Sequence, residues 1–309
     1  MSSVLISGGN GFLGTLLTIK ALEEGHDVTV VDDFSTSKVR NIPESATLIR
    51  TKIETYSDPV SYDYVVHLAA RPSPEDYMEN PLDTIMSNSM GTLKMLEIAR
   101  KGDSVFLFTS SSEVYGDAKV IPTPENYFGC VNPNGIRSCY DESKRFSEAL
   151  IMAYHRQYDM DVRIERPFNV YGPGIREDGA YGRVIPRFVS QALNNIDIVV
   201  HGDGRQTRAF LYIDDWINAT WKFLTSKNLK GAIINIGSND EIPIIDLAKL
   251  VIRITKSSSG IVVSKARTED PTRRAADISL AKNLLNWEPT VGLEKGLIQT
   301  EEWLRSKIK

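Results

Sequence analysis

Short apolar runs alternate with amphipathic stretches along the first half of the chain. The runs that predict strands read SVLIS, DVTVVDD, ATLIR, YDYVVHLA, SVFLF and DVRIERP. The amphipathic stretches predict helices over residues 12–24, 81–100 and 137–158. Strands that alternate with helices in this way form parallel sheets covered by helices on both faces. The pattern therefore predicts an α/β fold with a doubly wound parallel sheet.

The regular alternation fades after Pro167, where glycine, proline and arginine become frequent. This change predicts two parts, a nucleotide-binding domain over residues 1–166 and a smaller α/β part over residues 167–309. We expect the second part to supply loops for substrate binding and to return some segments to the first domain.

Composition narrows the possible function classes. The chain has 309 residues, of which 41% are hydrophobic and 25% charged, with a formal net charge of -4 and a pI of about 5.7. These are ordinary globular values without the basic character of a nucleic-acid-binding protein. No apolar run reaches the length of a membrane span, and the start of the chain predicts a strand rather than a leader segment.

Cysteine and histidine are too sparse for a disulfide framework or a metal site. Cys130 and Cys139 have no C-x-x-C spacing, and the four histidines are scattered. We therefore expect a cytoplasmic protein without a resident metal. The functional groups of a binding or catalytic site must therefore come from other residue types.

The first candidate motif is SGGNGFLG, which follows the first predicted strand and opens the first predicted helix. It reads as G-x-G-x-x-G from Gly9, Gly11 and Gly14, or as G-x-x-G-x-x-G from Gly8. Glycines there allow a tight turn and close approach to a pyrophosphate at the helix N-terminus. Asp32 ends the second strand, where an acid binds the adenosine ribose and favours NAD over NADP.

The second candidate motif combines a tyrosine, a lysine and a serine cluster. Tyr140 and Lys144 are four residues apart on a predicted helix, so they share one face. A nearby ammonium lowers the pKa of a phenol and lets it accept a hydroxyl proton. Ser111 and Glu113 lie in SSSEVYG, directly after a strand that predicts the ligand edge of the sheet.

These motifs together resemble the extended short-chain dehydrogenase/reductases that act on nucleotide sugars. The resemblance runs through SGGNGFLG, HLAA, SSSEVYG, YDESK, RPFNVYGP, GDGRQTRAF and LNWEPTVGLEKGL, and so covers almost the whole chain. It implies a Rossmann-type fold, NAD as cofactor and a UDP-sugar as substrate. The stretches NPNGIRSCYDESKR, PSPEDYMENP and EDPTRRAADI most resemble the UDP-glucuronate decarboxylases, also called UDP-xylose synthases.

The resemblance also implies roles for individual residues. The implied catalytic residues are Ser111, Glu113, Tyr140, Lys144 and Arg274. The implied cofactor-binding residues are Gly8, Gly11, Phe12, Leu13, Gly14, Asp32, Leu68, Ala69, Tyr140 and Lys144. The implied substrate-binding residues are Tyr77, Asn169, Arg183, Arg208 and Arg274, with Arg273 as a register alternative to Arg274. The chain departs from the family's usual Arg-Lys-Pro at Arg274-Ala275-Ala276.

The chemistry implied for such an enzyme explains a carboxylate behind the serines. Tyr140 takes the proton of the C4 hydroxyl as C4 is oxidised, and the resulting ketone makes a carboxylate on C5 labile to decarboxylation. We expect Glu113 to orient the ring or a water near C5, or to handle a proton there. The alternatives are a UDP-sugar dehydratase, a 4-epimerase and a non-catalytic NAD-binding regulator. The resemblance also implies a homodimer formed through the helices at residues 82–100 and around Tyr140.

Overall fold

The computed structural model describes residues 1–37, 39–176 and 183–307. Its strands are β1 Ser3–Ser7, β2 Asp27–Asp32, β3 Thr47–Arg50, β4 Tyr64–His67, β5 Val105–Thr109, β6 Val162–Pro167, β7 Val170–Tyr171, β8 Ile198–His201, β9 Thr207–Ala209, β10 Leu211–Tyr212, β11 Ile233–Ile236, β12 Glu241–Pro243, β13 Ile261–Ser264 and β14 Arg273–Arg274. Its helices are α1 Phe12–Glu23, α2 Pro74–Glu79, α3 Pro81–Gly102, α4 Ser138–Tyr158, α5 Val184–Leu193, α6 Ile213–Thr225, α7 Ile244–Thr255, α8 Ser279–Leu285 and α9 Leu293–Lys307.

The central sheet has seven parallel strands in the order β11-β6-β5-β4-β1-β2-β3. Successive residues of β1 point to opposite faces and enter different cores. Val4 and Ile6 pack in the core that contains Leu17 of α1, whereas Leu5 packs in the core that contains Leu96 of α3. Both faces of the sheet are therefore covered, which confirms the predicted doubly wound α/β fold.

The predicted strands and helices of the first half are all present. The helix predicted over residues 81–100 is α3, and the one predicted over residues 137–158 is α4. Asp103 follows the last residue of α3 and adopts the left-handed conformation that is common after a helix C-terminus. These two helices pack against each other on one face of the sheet.

The second half adds small sheets above one edge of the central sheet. β12, β9 and β14 form one, β10 pairs with β7, and β13 pairs with β8. The chain also returns to the central sheet through β11, whose Asn235 lies opposite Arg166 of β6. The predicted boundary after residue 166 falls at the end of β6, and the division into two domains stays a prediction.

The carboxyl ends of the parallel strands meet at one edge, as they do in doubly wound folds. β1 leads there into the glycine loop, β2 ends at Asp32, and β5 leads into the serine cluster. A cavity of about 1090 Å³ lies along this edge and beneath the small sheets. Residues of the glycine loop and Arg208 both line this cavity.

Candidate active site

The glycine loop has the close packing that a dinucleotide cradle requires. Gly8 has a φ of +70°, and a Cβ there would lie 2.6 Å from Ala69 Cα. A Cβ on Gly14 would lie 2.2 Å from the Gly8 carbonyl oxygen. Neither position tolerates a side chain, and α1 begins directly after the loop at Phe12. The loop therefore presents the backbone N–H groups of a helix N-terminus to the cavity, where they suit a pyrophosphate.

Asp32 lies at the end of this cradle and lines the cavity. Its carboxylate accepts hydrogen bonds from the backbone N–H groups of Asn10, at 3.0 Å, and Phe34, at 2.9 Å. Burial raises the pKa of Asp32, and these two hydrogen bonds act in the opposite direction. The remaining predicted cofactor residues also line the cavity: Gly11, Phe12, Leu13, Leu68 and Ala69.

Tyr140 and Lys144 extend from α4 to the wall of the same cavity, beside Ser111. Ser111 accepts a hydrogen bond from the Glu113 backbone N–H at 3.2 Å, and its side chain also interacts with the Tyr140 phenol and lowers the pKa of that phenol. Lys144 donates to the Thr109 carbonyl at 2.9 Å, and its Nζ lies 5.8 Å from the Tyr140 ring centre. The structure thus brings the predicted serine, tyrosine and lysine together.

The pKa values of the pair differ from the simple prediction that Lys144 lowers the pKa of Tyr140. Burial raises the pKa of Tyr140 to about 12, opposed by the hydrogen bond from Ser111 and the charge of Arg183. Burial also lowers the pKa of Lys144 to about 7. Desolvation therefore dominates the pKa of each group, because each is enclosed by the protein.

Glu113 lies between two arginines from distant parts of the chain. Arg137 and Arg274 both form ion pairs with its carboxylate, and the second Arg274 hydrogen bond, from Nη2, measures 3.2 Å. Burial would raise the pKa of Glu113, but the charges of Arg274 and Arg137 hold it well below its usual range. All three side chains line the cavity. Glu113 is therefore an ionised partner for the two arginines rather than a proton donor at neutral pH.

Tyr77 lies behind Tyr140 rather than on the cavity wall. The two rings stack with their centres 5.2 Å apart and their planes at 10°. Tyr77 is 1% exposed and is not part of the cavity lining. Its burial, with the charge of Glu113, raises its pKa. In this structure, Tyr77 packs against Tyr140 and does not face the cavity.

The other predicted substrate residues lie farther along the cavity. Arg208 lines it and donates to Asp270 at 2.8 Å, while Asn169 donates through its side chain to the Ala209 carbonyl at 2.8 Å. Arg183 lines the same wall at the start of α5. Arginines grouped along one wall suit the oxygens of a diphosphate, which accept charge-assisted hydrogen bonds.

His67 is packed inside the protein. Its Nδ1 lies 2.6 Å from Ser7 Oγ, and burial lowers its pKa to about 3, so the ring is neutral. Across residues 1–37, 39–176 and 183–307, no group of three or more His, Cys, Asp or Glu side chains is placed to hold a metal ion. The same ranges contain no helix that combines the length and apolar character of a membrane span.

Residues 4–237 match the model of the NAD dependent epimerase/dehydratase family. The chain belongs to this family. Its cofactor is therefore NAD, and the shape of the glycine loop with Asp32 at its end fits a dinucleotide.

Curated and solved relatives extend the comparison beyond the family's matched range. The chain is 40% identical over 313 residues to UDP-glucuronic acid decarboxylase 1 of Xenopus tropicalis, covering 99% of this chain and 73% of the relative. It is similar to the solved UDP-glucose 4-epimerase of Thermotoga maritima, with a TM-score of 0.92, 30% identity, and 99% and 100% of the two chains covered. The UDP-glucuronic acid 4-epimerase of Bacillus cereus, solved with UDP-glucuronic acid and NAD, gives a TM-score of 0.89, 30% identity and 99% coverage of both chains.

Sequence reasoning missed Arg137 and Asp270 as members of the site. Arg137 precedes Tyr140 by three residues, so its position at the start of α4 places it near the same face. That spacing was a usable signal. Asp270 carried no comparable signal, because its partner Arg208 is 62 residues away and meets it only in the folded chain.

Proposed function

We propose that this protein is an NAD-dependent UDP-glucuronate decarboxylase that forms UDP-xylose and recycles its cofactor. The observation that carries the proposal is the cluster of Arg137, Arg274 and Glu113 on the cavity wall. Asp141, another acid that interacts with both arginines, has its pKa raised to about 7 by burial and by the charge of Glu113, so the two guanidiniums suit an additional negative charge from the cavity. A carboxylate on the sugar supplies that charge, whereas a neutral hexose does not.

The residues around the cluster support the first step at C4. Tyr140 accepts the proton of the C4 hydroxyl, and Ser111 hydrogen-bonds the oxygen as it becomes a carbonyl. Lys144 lies on the same face of α4 and contributes a positive charge when protonated. NAD, held by the glycine loop and Asp32, would supply the hydride chemistry at C4 in both directions and would be unchanged over the whole cycle.

The ketone at C4 makes the second step possible. The sugar carboxylate is then β to a carbonyl, so the bond from C5 to the carboxyl carbon breaks and CO₂ leaves. The bonding electrons enter the C4 carbonyl to give an enolate, and C5 then takes up a proton from solvent water. Arg274 holds the carboxylate before it leaves, and Glu113 fixes the position of Arg274. Glu113 stays ionised throughout this step.

Similarities to known proteins support decarboxylation and also identify one rival reaction, epimerisation. The similarity to the Xenopus tropicalis decarboxylase supports decarboxylation. The similarity to the Bacillus cereus UDP-glucuronic acid 4-epimerase supports epimerisation of the same acidic sugar as the rival, because that enzyme is solved with UDP-glucuronic acid bound. A dehydratase acting on a neutral UDP-sugar, and a non-catalytic NAD-binding regulator, both leave the positive cluster without a purpose.

The deciding experiment incubates the purified protein with NAD⁺ and UDP-glucuronate and follows the product by mass spectrometry and NMR. We expect a product lighter by one CO₂, with the NMR couplings of a pentose. An isomer of unchanged mass with altered ring couplings establishes the epimerase instead. UDP-glucose serves as the neutral control, and loss of water from it identifies a dehydratase. No turnover of any UDP-sugar supports the regulator.

We also propose that two copies of the chain assemble through α3 and α4. These helices expose a row of large apolar side chains: Leu82, Ile85, Met86, Met90 and Phe146. A face of this kind is costly in water and is typical of an interface.

Both cysteines are unpaired thiols, which fits the reducing conditions of the cytoplasm.

A further inference from the structure

A chain of buried polar side chains runs behind the cavity. It joins Ser110, Glu148, Arg166, Tyr115 and Asn235, each of which is at most 8% exposed. Ser110 donates to Glu148 at 2.5 Å, and Arg166 donates to Glu148 through two nitrogens at 2.5 and 2.9 Å. Arg166 also donates to the Tyr115 hydroxyl at 2.7 Å, and that hydroxyl donates to Asn235 Oδ1 at 2.7 Å. We call these five residues the buried hydrogen-bond chain.

The direction of every bond in the buried hydrogen-bond chain is fixed by chemistry. A guanidinium has only donors, so Arg166 obliges the Tyr115 oxygen to accept and leaves its proton free to donate. Asn235 must then accept through its carbonyl and donate through its amide nitrogen. That nitrogen donates to the carbonyls of Thr123, at 2.9 Å, and Asp277, at 3.1 Å. One hydroxyl therefore sets the orientation of the amide.

Asn235 holds the segment that carries Arg274. Thr123 donates its backbone N–H to the Ala275 carbonyl at 2.9 Å and accepts from Asp277 at 3.0 Å. Asn235 donates to the carbonyls of both Thr123 and Asp277, and Asp277 lies three residues after Arg274 in the chain. At the other end, Ser110 precedes Ser111, and Glu148 lies one helical turn beyond Lys144 on α4. The buried hydrogen-bond chain therefore touches three segments that carry the proposed catalytic residues.

None of Glu148, Arg166, Tyr115 and Asn235 lines the cavity. They are too deeply placed to contact a sugar, and the proposed catalytic cycle uses none of them. A fully satisfied buried network of this kind rigidifies the segments it joins. Its effect on catalysis must pass through the residues at its ends.

We propose that Tyr115 and Asn235 are positioning residues that set Arg274 against Glu113 and so decide how well the site holds the sugar carboxylate. The proposal rests on the proposed function, because it assigns Arg274 to that carboxylate. Loss of the Tyr115 hydroxyl leaves Arg166 and the Asn235 carbonyl without their shared partner. Loss of the Asn235 amide releases the carbonyls of Thr123 and Asp277.

The test compares Tyr115→Phe and Asn235→Ala with the unchanged protein, using two ligands that differ only in the carboxylate. Dissociation constants for UDP-glucuronate and UDP-xylose are measured by calorimetry on the protein with NADH, because NADH cannot accept a hydride from C4 and the substrate is then not consumed. We expect both variants to lose about tenfold of the affinity for UDP-glucuronate, the scale of one charge-assisted hydrogen bond, and to keep their affinity for UDP-xylose. Decarboxylation falls about 100-fold, the scale of a displacement of about 1 Å, while NADH still forms in a single turnover.

Tyr62→Phe is the matched control, because Tyr62 is also a buried tyrosine whose hydroxyl is bonded, to Asp58 at 2.6 Å. It lies outside the cavity lining and should leave both affinities unchanged. If Asn235→Ala fails to fold, Tyr115→Phe alone decides the matter. Variants that only melt at a lower temperature, with the affinity ratio and the decarboxylation rate intact, overturn the proposal. An unchanged protein that binds UDP-glucuronate but does not decarboxylate it overturns the proposed function instead.

Discussion

Glu113 shows how two neighbouring charges decide the role of a single residue. On its own, a buried carboxylate would have a raised pKa and could donate a proton. Arg274 and Arg137 reverse that effect and keep the pKa well below its usual range. Of the roles that the sequence allowed, orientation of the substrate fits this environment and proton donation does not.

Glu113→Gln should therefore separate the two chemical steps. The amide keeps the shape but weakens both ion pairs, so Arg274 loses its fixed position. We expect decarboxylation of UDP-glucuronate to slow by about 100-fold while C4 oxidation continues, so that NADH accumulates in a single turnover. Stopped-flow absorbance of NADH measures the first step and product mass the second. Full turnover by the variant would remove Glu113 from the mechanism.

Tyr140→Phe should stop the reaction at its first step. The phenol is the proposed acceptor of the C4 proton, and general acid–base groups typically contribute about 100- to 10,000-fold. We expect no NADH in a single turnover, with NAD affinity retained in calorimetry. The outcome that contradicts this role is NADH formation at the unchanged rate.

Asp32→Ala should weaken the binding of NAD more than that of NADP. Asp32 faces the cavity at the position expected for the adenosine ribose, and its negative charge repels a 2′-phosphate. We expect the unchanged protein to bind NAD much more tightly than NADP in calorimetry, and the variant to lose most of that preference. Equal affinity for the two cofactors in the unchanged protein contradicts this assignment.

At the scale of elements, α3 and α4 each have one face toward the sheet and one face with large apolar side chains exposed. The inner face is accounted for by the core, where Met95 and Leu96 of α3 meet Ile151 of α4. The outer face has no such partner within the part of the chain that the structure describes. Leu82 is 76% and Phe146 is 53% exposed. A second copy of the same two helices would bury both.

Leu82→Glu and Phe146→Glu should convert the proposed dimer into monomers. A carboxylate that is buried without a partner destabilises the interface by more than the replaced apolar side chain stabilised it. Light scattering at micromolar concentration measures the mass, and we expect the dimer mass only for the unchanged protein. Leu280→Glu on α8 is the matched control, since Leu280 is also exposed at 40% and lies on another surface. A monomeric unchanged protein contradicts the assembly.

At the scale of the whole molecule, the central sheet contains a buried acid that the mechanism does not use. Glu165 of β6 is fully buried and accepts hydrogen bonds from Thr109 and Thr220, each at 2.7 Å. Burial raises its pKa from 4.5 to about 7, and the two hydroxyls oppose the shift. The folded protein therefore holds a proton there that the unfolded chain releases above pH 4.5.

This raised pKa predicts the direction of a pH effect on stability. Between pH 4.5 and about 7, the folded state binds more protons at Glu165, so its contribution to stability falls as the pH rises. Glu165→Gln should remove that contribution, which is at most about 3 kcal/mol. Urea unfolding near pH 5 and near pH 8 measures the difference between the variant and the unchanged protein. Glu302→Gln, on the exposed face of α9, is the matched control for the substitution of a glutamate by glutamine.

The sequence by itself determined the order of elements, the family, the cofactor cradle and the tyrosine–lysine pair. Those features depend on local periodicity and short spacings, which the chain carries before it folds. The sequence also placed Arg274 and Glu113 among the candidate residues, but 161 residues separate them, and nothing local indicates that they meet. Tertiary structure decided that contact, the place of Tyr77 behind Tyr140, and the burial that moves the pKa values of Tyr140 and Lys144. Each depends on segments that are far apart in the chain and meet only when the helices and the sheet pack together.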